Sequence, residues 1–85
     1  MLNQEQKEFL QKLGFKVYNS STTDFYYLDI SGEREEADNV IYVFQHMTRN
    51  NVKLETTNIT GKELDDFVGL YLQVKENIER LESNV

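Results

Sequence analysis

Eighty-five residues with fifteen acidic and nine basic side chains, a net charge of −6, and neither cysteine nor proline set firm limits on this chain. A chain this short supports one hydrophobic core, so residues 1–85 are expected to form a single domain, and without cysteine it holds together by packing, not by disulfides or thiolate-bound metal. The acid excess disfavours direct binding to nucleic acid, whose phosphates require several lysines or arginines to displace counterions.

The first predicted element is a helix. Asn3 can cap it, Gln6 stands three residues later in a capping-box relation, and Phe9, Leu10 and Leu13 recur at helical spacing. Gly14 suits the left-handed residue of a Schellman stop, with Phe15 beyond it placed to touch Leu10, so the helix should end near Leu13. Two strands follow. Phe15 to Tyr18 and Phe25 to Ile30 are rich in aromatic and β-branched residues, and a polar stretch, Asn19 to Thr23, separates them. Alternation in the second strand puts Tyr26, Leu28 and Ile30 on the core side and Phe25, Tyr27 and Asp29 on the wet side.

An acidic connector comes next, with Glu33, Glu35, Glu36 and Asp38 among its residues, and then Val40-Ile41-Tyr42-Val43-Phe44, the most hydrophobic run in the sequence. The density of branched and aromatic residues favours a central strand. A helical stripe through Ala37, Val40, Ile41, Phe44 and Met47 is the competing reading. Thr48 to Asn51 reads as a hairpin turn into a strand from Val52 to Thr56.

The last element is a long helix from Gly61 to about Ser83. Thr60 and Glu63 have capping-box spacing, Ile59 and Leu64 staple spacing, and Leu64, Phe67, Tyr71, Val74, Ile78, Leu81 and Val85 form a heptad seam that Val68 and Leu72 widen. Glu76 and Arg80 are an i,i+4 pair, and Gly69 suggests a close approach to the sheet. The C-terminal half of this helix outruns a typical strand, so Val74, Ile78 and Leu81 need cover from the first helix, a second copy or another protein. The expected fold is α+β in the order αββββα, one antiparallel sheet of three to four strands with a short N-terminal and a long C-terminal helix; αββαβα is the alternative.

No constellation for catalysis stands out, and the chain is read as a non-enzyme with no cofactor and no metal site. His46 is the sole imidazole, has no second ligand at metal-binding spacing, and reads as a structural or surface residue. The connector acids lack the alternation that converges on one Ca²⁺ and read as a solvated loop. Ser20, Ser21 and Thr22 sit in no nucleophile elbow, and the four dispersed glycines make no phosphate loop. The Asn-x-Ser/Thr triplets at Asn19 and Asn58 are read as chance matches. Neither a signal peptide nor a membrane span is visible, so a cytoplasmic protein is expected.

The acids are unevenly placed: five against one base between residues 29 and 38, and six against three from residue 61 onward. Such clusters can imitate a row of phosphates and compete for a partner's lysines and arginines. In size and charge the chain resembles the small acidic inhibitors made by phages and mobile elements. That resemblance implies a protein partner, the basic groove of a nucleic-acid-processing protein, contacted by Asp29, Glu33, Glu35, Glu36 and Asp38, with Asp65 and Asp66 as a second patch. Tyr27 and Tyr42, with Tyr18, are the tyrosines that strand alternation could expose beside these acids. The alternative is a homodimeric structural or adaptor protein assembled through Val74, Ile78 and Leu81.

Overall fold

A computed structural model describes residues 2–19, 24–30, 39–46, 49–57 and 59–82. The elements run α1 (Gln4–Lys12), β1 (Lys16–Asn19), β2 (Asp24–Asp29), β3 (Val40–His46), β4 (Arg49–Glu55) and α2 (Gly61–Arg80). The strands form one antiparallel meander in the order β1-β2-β3-β4. The architecture is αββββα, and the hydrophobic run is a strand paired on both sides, with Tyr42 opposite Tyr27 of β2 and Lys53 of β4.

Helix α1 begins and ends as its residues dictate. The Asn3 side chain accepts from the Gln6 N–H at 2.9 Å, and the Gln6 side chain accepts from the Asn3 N–H at 2.9 Å, completing the capping box. At the far end Gly14 has φ +93°, its N–H donates to the Gln11 carbonyl, and the Phe15 N–H donates to the Leu10 carbonyl. Both bonds of the Schellman motif are present, and the motif drops Phe15 into the core beside Leu10.

Both helices cover the same face of the sheet. Leu10 and Phe15 meet Tyr26 from β2, Ile41 and Val43 from β3, and Phe67, Val74 and Ile78 from α2, with Leu28, Val52 and Leu54 packed around them. The expected inward face of β2 is correct for Tyr26 and Leu28, whereas Ile30 lies past the strand end and is exposed. The seam of α2 is covered from within the chain: Val74 and Ile78 are buried in this core, and Leu81 is half-buried where α2 meets α1. No second copy is needed to shield them.

A polar latch joins the helices. Once Gln6 and Asn3 have capped α1, their amide groups turn outward to α2: Gln6 Nε2 donates to the Ile78 carbonyl and Asn3 Nδ2 to the Leu81 carbonyl, each at 2.8 Å. Carbonyls in the last turn of a helix have no intrahelical donor, so the N-cap pair of one helix serves as the C-cap of the other.

Several local expectations are corrected. Thr60 has extended backbone but makes no side-chain cap bond; Gly61 follows at φ +64°, and this left-handed entry carries the hydroxyl away from the first-turn N–H groups. Gly69 faces solvent with open space where a Cβ would stand, so it marks no close approach to the sheet. Leu72 is exposed, and Leu70 packs on the core instead. Arg80 donates to Asn77 Oδ1 at 2.7 Å and not to Glu76. Arg49 to Asn51 belong to β4, because the β3–β4 ladder continues to the His46–Arg49 pair, leaving only Met47 and Thr48 as the connection.

Candidate functional site

Because both helices lie on one side, neither α1 nor α2 covers the other side of the sheet. The strand register assembles its surface in rows. Tyr18, Phe25, Phe44 and Asn51 make one row across the four strands; Lys16, Tyr27, Tyr42 and Lys53 make the next. Beyond the second row stand Asp29, Val40 and Glu55, and Arg49 stands beyond the first, at the hairpin end.

The centre of this face is aromatic. Phe25 is the hub: its ring stacks on Tyr18 with centroids 5.0 Å apart, meets Tyr42 edge-on at 5.8 Å, and tilts against Tyr27 at 6.4 Å. Such offset and edge-on geometries are the favoured ones for rings carrying a quadrupole, and each adds about 0.5–1.5 kcal/mol beyond area burial. Phe25, Tyr27, Tyr42 and Phe44 are half-buried, while Tyr18 on the edge strand is 53% exposed. Val40 is fully buried yet stands outside the helix-side core.

Charged groups frame the rings. Lys53 and Glu55 form a 3.0 Å ion pair, with both side chains largely exposed. Burial, followed by the carboxylate of Glu55, raises the Tyr42 phenol above its ordinary value of 10.0; Lys53 opposes the shift and Asp29 adds to it. Tyr42 is thus neutral at physiological pH and keeps its O–H available as a donor.

Of the residues singled out from sequence, the structure brings Tyr27, Tyr42 and Asp29 together on this face. Asp65 and Asp66 are exposed in the first turns of α2, where Asp66 pairs with Lys62 at 2.9 Å. Glu33, Glu35, Glu36 and Asp38 lie outside the described residues, as do Ser20, Ser21, Thr22 and Asn58; along the chain the connector acids join the Asp29 end of β2 to the start of β3. His46 closes β3 opposite Arg49, and its side chain lies outside the described groups. Phe25 was expected on the wet side of the second strand but was not singled out as a site residue, and Phe44 was not expected on this face. Phe25 alternates with Tyr27 and Asp29, which was a usable signal, but in β3 both faces are apolar and no polarity distinguishes Phe44 from Val43.

Among the described residues no group of three or more His, Cys, Asp or Glu side chains could hold a metal ion, and no helix is long and apolar enough to cross a membrane. An open groove between the first turn of α1 and the last turn of α2, lined by Asn3, Gln4, Arg80 and Leu81, has its polar centre occupied by the Asn3–Leu81 hydrogen bond. No protein-family profile, curated protein or solved structure matches the chain.

Proposed function

We propose that this chain is a non-enzymatic protein-binding module whose contact surface is the helix-free sheet face, with the acidic segments at its margin. One observation carries the reading: Tyr18, Phe25, Tyr27, Tyr42 and Phe44 gather on a sheet face that neither helix covers. Large rings that bury area at low entropic cost are what the centres of protein interfaces are enriched in, and Tyr adds a hydrogen-bonding tip. Aromatic sheets can also stack single-stranded nucleic acid, but a chain of net charge −6 as a whole repels the phosphate backbone.

The acids give the module its electrostatic preference. Asp29 ends β2, and the connector that follows carries Glu33, Glu35, Glu36 and Asp38, so negative charge is concentrated along the chain where one end of the face is reached. This supports steering toward a cationic protein surface, in its most specific form the basic groove of a protein that acts on nucleic acid, whose phosphate contacts the carboxylates would imitate.

The test compares two variants in capture from cell extract at low salt, with stepwise salt elution. Tyr27→Ser/Tyr42→Ser should abolish specific capture, while neutralising the four connector acids to amides should remove only the salt-sensitive fraction. If the tyrosine variant, shown folded by circular dichroism, captures the same proteins as the parent chain, the sheet face is not the contact surface.

A further inference from the structure

We infer that the occupant of the helix-free face is a second copy of this chain, packed sheet to sheet about a two-fold axis that runs across the strands above the Val17–Tyr26–Val43–Val52 row. This rests on the reading of that face as a protein interface and names its partner. Tyr26, Val43 and Val52 of the axial row pack on the helix side, so the outward residues fall symmetrically on either side of the row.

The pattern is self-complementary. A two-fold axis in this direction keeps each strand over its own counterpart and reverses its direction, so a residue n positions before the axis meets the residue n positions after it in the other copy. On β4 Glu55 and Arg49 are each three residues from Val52, and each therefore faces the other across the interface. On β1 Lys16 falls over Tyr18 of the second copy, a cation placed on an aromatic face. On β2 Phe25 falls over Tyr27, and on β3 Phe44 over Tyr42, so the four inner rings of each copy stack on rings of the other. Rows on one face are about 6.8 Å apart, which puts Glu55 and Arg49 about 10 Å from the axis. Aligned sheets cross at about 30°, which displaces such a pair by about 5 Å, within reach of these long side chains.

Charge and area point the same way. Among its described residues the face carries three cations, Lys16, Arg49 and Lys53, against two anions, Asp29 and Glu55. It has no excess of negative charge to offer a basic groove; its outermost charges are Asp29 and Glu55 at one end and Arg49 at the other, with Lys16 and Lys53 in the row beside the acids, so an antiparallel copy brings Arg49 to Glu55. Twelve outward ladder positions, leaving aside Val40, which is already buried, occupy about 4.8 Å by about 6.8 Å each and give about 400 Å² of projected plane per copy, about 800 Å² for the pair before side-chain relief is added. That is below the standard size of specific interfaces and fits a weak, transient dimer of micromolar or weaker affinity. The connector acids are not needed for this packing and remain for a cationic partner.

Sedimentation equilibrium of the full chain from about 1 μM to about 1 mM tests the inference. The parent chain should show a monomer–dimer equilibrium. Glu55→Arg and Arg49→Glu, each changing both symmetric contacts from attraction to repulsion, should weaken it about tenfold or more. An equimolar mixture of the two variants should recover dimer, because the new cation of one chain meets the new anion of the other. A parent chain that stays monomeric throughout overturns the second copy as partner, as does a dimer indifferent to either charge reversal or not rescued by mixing. Tyr27→Ser/Tyr42→Ser separates the two ideas: loss of heterologous capture in a chain that never dimerises leaves the sheet face as the binding surface and removes only the self-association, whereas a dimer and a capture that both survive this variant remove both.

Discussion

Replacing Gln6 by Leu should destabilise the fold far more than a change at one residue of a nine-residue helix suggests. Gln6 is 1% exposed, and its amide bridges two elements: Oε1 accepts from the Asn3 N–H, and Nε2 donates to the Ile78 carbonyl. Leucine keeps the volume and the helix propensity but satisfies neither group. The two backbone groups left unpaired, one buried and one part-buried, cost about 4 kcal/mol together, and the added apolar burial returns about 1.5 kcal/mol, so the net loss is about 2.5 kcal/mol. For a chain with total stability on the order of 4–13 kcal/mol this is a large fraction. Urea titration followed by circular dichroism reads it as a lower midpoint at unchanged slope. Asn3→Ala, at a half-buried position, should cost about 1 kcal/mol. A Gln6→Leu chain within about 0.5 kcal/mol of the parent would mean that Ile78 and Asn3 find other partners and that the latch does not hold the helices together.

Two further outcomes are expected. Gly69→Ala should stabilise the chain by about 0.5–1 kcal/mol, seen as a rise in Tm of a few degrees, because the position is helical, exposed and has room for a Cβ. Raising the pH past 10.0 should erode stability: Tyr42 holds its proton more tightly folded than unfolded, so its contribution is complete below the unfolded value and is lost as the folded phenol ionises; Tyr42→Phe, compared by denaturation between pH 9 and 11, should lessen that loss.

The elements were legible where local chemistry is decisive. Asn3 with Gln6, and Gly14 with Phe15, specify the ends of α1 through bonds a few residues long, and the alternation in β2 names Tyr26 and Leu28 as inward. The left-handed Gly61 escaped notice because Thr60 and Glu63 have capping-box spacing regardless of the backbone between them. The site was only half legible. Tyr27, Tyr42 and Asp29 could be singled out, but their union with Tyr18, Phe25 and Phe44 depends on strand order and register. It also depends on both helices choosing the same side, and in β3, where Val40, Tyr42 and Phe44 are as apolar as Ile41 and Val43, sequence polarity cannot name a side. The destination of the α2 seam was undetermined for the same reason: a heptad stripe says that a face must be covered, not by what.

The shared capping of the helices has a bearing on the order of events in folding. Gln6 and Ile78 are 72 positions apart and Asn3 and Leu81 are 78 apart. During synthesis α1 leaves the ribosome first and can close its own capping box, but its outward amides have nothing to bond until the final turn of α2 emerges. Leu10 and Phe15 can pack on the meander before that, but the bonds between the two helices close last, and the loop they close spans 72 to 78 positions. Amide protons in the first turn of α1 and the last turn of α2 then belong to one cooperative unit, opening together and closing together.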